Sequence, residues 1–217
     1  MTMYKKLTAL LSTTLFALNA FAGGLESLEL FVKSVKTGRA DFTQVVTPPA
    51  RDGQVPRVKT STGTFEFSRP NQFKFVYKKP FEQIIVADGQ TLWLYDVDLN
   101  QVTARKQAQV LNSTPAALIA SAPDLKALQA DFTLTAEPDK DGVKEGIEWV
   151  NATPKSKDTQ VQQVRIGFRA GALSVLEILD SFGQKSRMSF TGFVANVPLE
   201  AASFQFKPPA GADVVRQ

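Results

Sequence analysis

Residues 64–77, with the sequence TFEFSRPNQFKFVY, decide the fold, because apolar and polar side chains alternate along both halves of the stretch. A period of two is typical of β-strands that bury one face. Arg69-Pro70-Asn71 interrupts the alternation and predicts a turn, so the stretch is expected to form a hairpin. One side of this hairpin is almost wholly aromatic and consists of Phe65, Phe67, Phe73, Phe75 and Tyr77.

The strand pattern continues beyond this hairpin. Two strands at 83–88 and 91–96 are joined by Asp88-Gly89, a dipeptide typical of tight hairpin turns. In the second strand Leu92 and Leu94 point away from Trp93 and Tyr95, so both of its faces are expected to be covered. Other strands are predicted around Ala40, Phe42, Gln44 and Val46, at 131–136, 146–151, 161–169, 172–179 and 184–193, and at Phe204 and Phe206.

Three helices are predicted among these strands. Residues 25–36 carry apolar side chains at steps of three and four, which is typical of one helical face, and Gly38 is expected to end that helix. A second helix at 115–121 has Leu118 and Ile119 as its apolar contacts. It follows Thr114, a favourable N-cap residue, and a short third helix is predicted at 124–129.

Together these elements predict a mainly β protein with a few α-helices. A sheet of ten or more strands tends to curl, so we expect an unclosed antiparallel β-barrel, or half-barrel. Helices on its concave side would act as a lid, with Leu118 and Ile119 on the lid helix. Residues 23–217 are expected to form a single domain.

Residues 1–22 have the pattern of a cleaved signal peptide. Lys5 and Lys6 precede a short apolar stretch, and Ala20-Phe21-Ala22 resembles a cleavage site. The chain has no cysteine, so it cannot carry a lipid anchor on a lipobox cysteine. The sequence therefore predicts an exported, soluble protein that is free to diffuse.

The composition argues against several classes of function. The chain contains no histidine and no cysteine, which removes Ser-His-Asp and Cys-His catalysis and the usual zinc sites. Asp96, Asp98 and Asn100 imitate the start of a calcium loop, but Gln101 and Gln107 stand where that loop needs Gly and Glu. The net charge of +4 is scattered along the chain. Carboxylate chemistry remains possible, but we expect no enzyme activity, no metal, no cofactor and no nucleic-acid partner.

The aromatic side chains allow two interpretations. They are either an ordinary sheet core or the lining of a cavity that the few helices leave partly unfilled. Arg69 also allows two interpretations. Its side chain is either solvated, or its guanidinium reaches backbone carbonyls at the end of a lid helix. The cavity interpretation assigns ligand binding to Phe65, Phe67, Phe73, Phe75, Trp93 and Tyr95.

Several short motifs follow one another along the chain: Phe42-Thr43-Gln44, Arg69-Pro70-Asn71-Gln72-Phe73, 88–96 (DGQTLWLYD), Gln101-Val102-Thr103, Thr114-Pro115, 180–184 (DSFGQ) and 204–211 (FQFKPPAG). Together they resemble the outer-membrane lipoprotein carrier protein family, LolA. The resemblance spans nearly the whole chain after residue 22, and residues 88–96 and 204–211 are its most specific parts. In this sequence Phe67 and Phe75 stand where relatives often have tryptophan, and the segment 47–60 is long.

The resemblance implies a role as well as a fold. A carrier of this family takes lipoproteins, by their acyl chains, from an ABC-type release complex in the inner membrane and passes them to an outer-membrane acceptor. The family arginine that fastens the lid falls on Arg69, and the phenylalanine associated with receiving cargo falls on Phe73. We expect a monomer with these partners.

Other functions remain open from the sequence. The same fold could carry another amphiphile, such as a glycolipid or a pigment precursor, or serve as a lipid-sensing regulatory domain. A periplasmic hydrolase is the alternative among enzymes, although only carboxylates and lysines are available to it as bases.

Overall fold

The computed structural model describes residues 23–50, 55–110, 122, 124–137, 146–157 and 159–217. The predicted signal peptide lies outside these residues. The helices are α1 (Gly24–Ser34), α2 (Gln107–Val110) and α3 (Leu125–Asp131). The strands are β1 (Thr37–Thr47), β2 (Lys59–Ser68), β3 (Gln72–Lys79), β4 (Gln83–Asp88), β5 (Thr91–Asp96), β6 (Gln101–Lys106), β7 (Phe132–Glu137), β8 (Glu148–Pro154), β9 (Val161–Arg169), β10 (Ala172–Asp180), β11 (Lys185–Ala195) and β12 (Asp213–Arg216).

These twelve described strands form one unclosed sheet, with the order β12-β6-β5-β4-β3-β2-β1-β11-β10-β9-β8-β7. The prediction of a mainly β, unclosed barrel is therefore confirmed. Every pair in it is antiparallel except β12 and β6, which are parallel. The first strand, β1, lies between β2 and β11. It therefore joins two meanders of consecutive strands, β1 to β6 on one side and β7 to β11 on the other.

Two local predictions need correction. Phe204 and Phe206 do not form a strand, because residues 201–204 make a 3₁₀ turn and the last strand is β12. Gly38 does not end α1, which finishes at Ser34, where the Val35 N–H donates to the Phe31 carbonyl. Gly38 lies in β1, where the Phe67 ring packs so closely that a Cβ would come 2.4 Å from its Cε1. The position therefore requires a residue without a side chain.

The inner face of the sheet carries one large apolar cluster, and α1 packs on it through Leu28, Phe31, Val32 and Val35. Phe31 is central to this contact, since its ring centroid lies 6.2 Å from that of Phe67, 5.5 Å from Phe168 and 5.8 Å from Phe193. One short helix thus joins strands from both halves of the sheet.

The outer face is covered locally. Phe206 packs against Trp93 and Tyr95, with ring centroids 5.6 and 6.0 Å apart. On the other half of the sheet, the guanidinium of Arg165 lies over the ring of Trp149 at 4.3 Å and pairs with Glu137 and Glu177. Stacked and paired arginines can shield an aromatic ring from water while staying hydrated at their edges.

None of the helices described is long and apolar enough to cross a membrane.

Gly63 in β2 provides a test of the inner-face packing. A Cβ at this position would come 2.1 Å from the Val76 carbonyl oxygen and 2.8 Å from Cζ of Phe42. Because backbone must move to admit it, we expect Gly63→Ala to lower the free energy of unfolding by about 1–3 kcal/mol. Gly23→Ala is the control, since nothing lies within 4 Å of a Cβ there. Equal stability of the two variants in urea unfolding would contradict this packing.

Candidate functional site

Four of the predicted cargo-binding side chains come together on the inner face. Phe65 pairs with Phe75, and Phe67 with Phe73, across the β2–β3 hairpin. The Phe65 and Phe75 rings stack with centroids 4.4 Å apart, and Phe65 lies 5.6 Å from Phe67. These four rings form a continuous aromatic surface, as the alternation in residues 64–77 predicts.

These rings are covered rather than open to space. Phe65, Phe67 and Phe73 are 0% exposed and Phe75 is 5% exposed. The expectation that they border unfilled space is therefore wrong for this state of the protein. The physical reason is that neighbouring rings and α1 fill the surface above them, as Phe31 does for Phe67. Access for a ligand requires these covering groups to move.

Trp93 and Tyr95 do not belong to this surface, and their predicted place in the same cavity is wrong. Register puts Leu92 opposite Ala87, and Ala87 opposite Phe73, so Leu92 shares the face of Phe73. Side chains alternate along a strand, which leaves Trp93 and Tyr95 on the outer face. There both pack against Phe206.

Trp93 also stabilises the turn before it. Its Nε1 donates to Oδ2 of Asp88 at 2.9 Å, while Oδ1 accepts the N–H groups of Gln90 and Thr91. Partial burial opposes the charge on Asp88, but the hydrogen bonds from Thr91, Trp93 and Gln90 outweigh it and hold the pKa of Asp88 below its usual value. The Asp88-Gly89 turn predicted from the sequence is thus built around an ionised carboxylate.

Arg69 connects two separate segments at the end of the aromatic hairpin. Its Nε donates to the Val35 carbonyl at 2.9 Å and its Nη1 to the Ala122 carbonyl at 2.8 Å. Val35 is the C-cap residue of α1, and Ala122 lies two residues before the N-cap of α3. Arg69 is therefore not a solvated surface residue; its guanidinium donates to backbone carbonyls, one at the end of α1 and one just after the segment of the predicted lid helix, which lies outside the described residues.

The Arg69 guanidinium is also desolvated. Its Cζ lies 5.5 Å from the ring centre of Phe31 and 5.4 Å from that of Phe67. Burial lowers the pKa of Arg69 to about 10. Among the described residues, its Nη2 has no acceptor. The cation is thus held by two carbonyls and two ring faces.

Gln107 forms a second buried polar contact, one for which the sequence offers no functional signal. It is 1% exposed and lies at the start of α2. Its Nε2 donates to the Asn71 carbonyl at 2.6 Å, and its Oε1 accepts the Gly89 N–H at 2.9 Å. Gln107 therefore ties two hairpin turns together, one of which also carries Arg69.

The predicted lid residues Leu118 and Ile119 lie outside the described residues. What the structure gives are the flanks of that segment: Gln107 before it and Ala122 after it. Both are bonded to the turn between β2 and β3, through the Asn71 carbonyl and the Arg69 side chain.

A groove of about 660 Å³ opens at the other end of the inner face. Tyr77 lines it and packs edge-on against Phe42, with centroids 5.0 Å apart. Burial raises the pKa of Tyr77 to about 12. The other residues that line the groove include Gln44, Ser61, Phe81, Gln83 and Leu99.

The fold and the site define a class of proteins in which one curled sheet buries an aromatic inner face beneath helices. A model of the family described as "Outer membrane lipoprotein carrier protein LolA" matches residues 33–207, and the chain belongs to this family.

Two relatives resemble the chain over nearly their whole length. An outer-membrane lipoprotein carrier protein of Albidiferax ferrireducens is 74% identical over 202 residues, which cover 91% of this chain and 93% of that protein. One of Methylibium petroleiphilum is 52% identical over 198 residues, which cover 91% and 92% of the two chains. The crystal structure of an uncharacterized conserved protein from Thermus thermophilus shares the fold, with a TM-score of 0.53 at 14% identity and coverage of 89% and 97%.

Tyr77 gives a pH-dependent test of the site. The unfolded chain releases its proton near pH 10, whereas the folded chain holds it to about pH 12. The folded state therefore loses stability as the pH rises through this interval. The absorbance titration curves of the wild type and of Tyr77→Phe should differ by one tyrosine ionisation with a pKa of about 12. A difference centred near 10 would contradict the burial of this hydroxyl.

Gln107→Leu tests the contact between the turns. It leaves the Asn71 carbonyl and the Gly89 N–H without their partner, so we expect a loss of about 1–3 kcal/mol in the free energy of unfolding. Gln90→Leu is the control, because Gln90 is exposed and contributes backbone groups to this turn. Chemical unfolding measures both, and equal effects would remove Gln107 from the site.

Proposed function

We propose that this protein carries lipoproteins by binding their acyl chains over the aromatic inner face. The observation that supports the proposal most is the continuous surface of Phe65, Phe67, Phe73 and Phe75 in a member of the carrier family. Residues 1–22 would direct export to the periplasm and be removed, leaving 23–217 as the carrier domain. The role is that of a chaperone in transport, with no catalytic step.

The energetics explain why a carrier is needed. Each methylene group of an acyl chain costs about 0.8 kcal/mol in water, so several long chains cost tens of kcal/mol. The protein must bury most of that surface and still release it. We propose that it receives its cargo from an ABC-type complex in the inner membrane and delivers it to an outer-membrane acceptor.

Arg69 is proposed to stabilise the closed, empty form. Its bond to the Val35 carbonyl and its contact with the Phe31 ring exist only while α1 lies on the hairpin, and its bond to the Ala122 carbonyl holds the segment before α3 there as well. Cargo would shift the population towards a form in which these contacts are broken. Return to the closed contacts then favours release, which supplies a driving force without a nucleotide.

Arg69→Leu tests this role with a fluorescent triacylated lipopeptide. Loss of two hydrogen bonds to the closed form should slow release by about tenfold, equivalent to about 1.4 kcal/mol. Arg39→Leu is a matched control, because Arg39 is half-exposed and pairs with Glu66 at the surface. Release at the wild-type rate by the Arg69 variant would refute the closing role.

Phe73→Glu tests the binding surface. A carboxylate on the inner face should weaken lipopeptide binding by about tenfold or more, because the charge must be desolvated beside acyl chains. Lys74→Glu places the same group on the outer face of the same strand. Circular dichroism establishes that both variants are folded. Unchanged affinity of the Phe73 variant would exclude this residue from cargo binding.

The second candidate is a carrier of another amphiphile, such as a glycolipid or a pigment precursor. The aromatic inner face would suit any acyl chain, and this observation keeps the alternative open. Native mass spectrometry of the protein isolated from the periplasm separates the two. Triacylated peptides would support the lipoprotein proposal, and a glycolipid or pigment would contradict it.

A further inference from the structure

The groove beside Tyr77 adjoins the aromatic inner face. The Tyr77 ring centroid lies 5.0 Å from that of Phe42 and 6.4 Å from that of Phe75. Phe75 in turn stacks on Phe65 at 4.4 Å. Tyr77 therefore belongs both to the row of inner-face rings and to the wall of the groove. A molecule in the groove would touch the same surface that is proposed to bind acyl chains.

The polar lining of the groove is mostly uncharged. Lys59 is the one cation in the described lining, and Asp96 and Asp98 add two carboxylates. Esters and amides suit such a lining, because hydroxyl and amide groups can bond them without the cost of desolvating an ion. A phosphate would instead meet two groups of its own sign and one cation. The amide and hydroxyl side chains that line the groove are Gln44, Thr60, Ser61, Tyr77 and Gln83.

The Tyr77 hydroxyl is available to a ligand. Burial is the cause of its raised pKa, and no described residue forms a hydrogen bond with it. The hydroxyl of Tyr95, on the outer face, differs in this respect, because it donates to Oδ1 of Asn100 at 3.2 Å. A largely buried tyrosine hydroxyl usually has a partner. An ester or amide oxygen in the groove would provide one for Tyr77.

The row of rings is about as long as one acyl chain. Strands rise about 3.4 Å per residue, so Tyr77 and Phe73 lie about 13 Å apart along β3. One acyl chain spans about half of the ~30 Å hydrocarbon core of a bilayer, or about 15 Å. A chain that starts in the groove would therefore end beside Phe73 and its neighbour Phe67, at the turn where Arg69 bonds the end of α1.

Building on the carrier function proposed above, we propose that the groove binds the polar head of the cargo. This head consists of the uncharged ester and amide groups that join the acyl chains of a lipoprotein to its peptide. The chains then lie along the strands with their ends towards the Arg69 turn. There they displace Phe31 from Phe67, which moves α1 away from Arg69. The groove also disfavours phospholipids, which carry similar chains on a phosphate.

Photo-cross-linking of a triacylated lipopeptide to the protein of residues 23–217 determines this orientation. One probe carries a diazirine on the peptide residue next to the acylated cysteine, and the other carries it at the end of an acyl chain. Mass spectrometry should locate the first probe on groove residues such as Phe81 and Gln83, and the second on Phe31, Phe67 or Phe73. Exchanged positions, or head cross-links confined to residues outside the groove, would overturn the proposal.

Tyr77→Phe tests the head contact by affinity. Loss of one hydrogen bond should weaken lipopeptide binding about fivefold. Unfolding by urea at pH 7 should be unchanged, because no described residue bonds this hydroxyl in the empty protein. Tyr95→Phe makes the same change on the outer face and should bind like the wild type. Wild-type affinity of the Tyr77 variant would count against the head subsite.

Competition tests the selection against phosphate. A diacylglycerol should displace the lipopeptide about tenfold better than a phosphatidylglycerol with the same chains, and equal displacement would refute the selectivity. The outcomes also separate this inference from the carrier function. A wild-type protein that binds no lipopeptide contradicts both, whereas one that binds it with the head outside the groove contradicts the head subsite alone.

Discussion

The structure depends on the packing of Phe31 against the aromatic hairpin. A curled sheet with one apolar face has no second sheet to bury that face, so a helix must do it. The helix α1 is only 11 residues long, and Phe31 reaches Phe67 on one half of the sheet and Phe168 on the other. Among the described residues, α1 is therefore a small cover for the surface that it hides. This makes a closed form and an exposed form of the same sheet physically reasonable.

Much of the fold can be predicted from the local alternation of apolar and polar residues. The predictions that fail do so at particular turns. Residues 64–77 predict their hairpin because side-chain alternation is a property of the strand itself. The grouping of Trp93 with the phenylalanines failed because face depends on register across turns. Gly89 and Gln90 form a two-residue connection that places Leu92 opposite Ala87. This connection shifts the inward positions from odd to even residue numbers in β5, so one miscounted turn reverses the face.

The candidate site shows the same division between local and tertiary information. Arg69 is identifiable through its motif, but its partners Val35 and Ala122 are distant in sequence and only the fold reveals them. From the sequence, Gln107 is notable only as a residue that spoils a calcium loop. Its side-chain contacts with Asn71 and Gly89 have no periodic pattern, so no sequence rule would find them. Buried polar residues that bridge turns are found only by asking which groups they satisfy.

Gln107 and Arg69 stabilise the closed form through different kinds of contact, and only the contacts of Arg69 involve α1. Gln107 forms neutral hydrogen bonds within the sheet and its turns, and these need not break when α1 moves. Arg69 joins the sheet to α1 and carries a desolvated charge whose pKa is lowered to about 10. Burial removes the hydration of the cation, and two carbonyls and two rings compensate for that loss only in part. The contact therefore has a defined geometry but contributes little net stability. An acyl chain that buries a larger apolar area can compete with it, whereas a stronger contact would keep the aromatic surface closed.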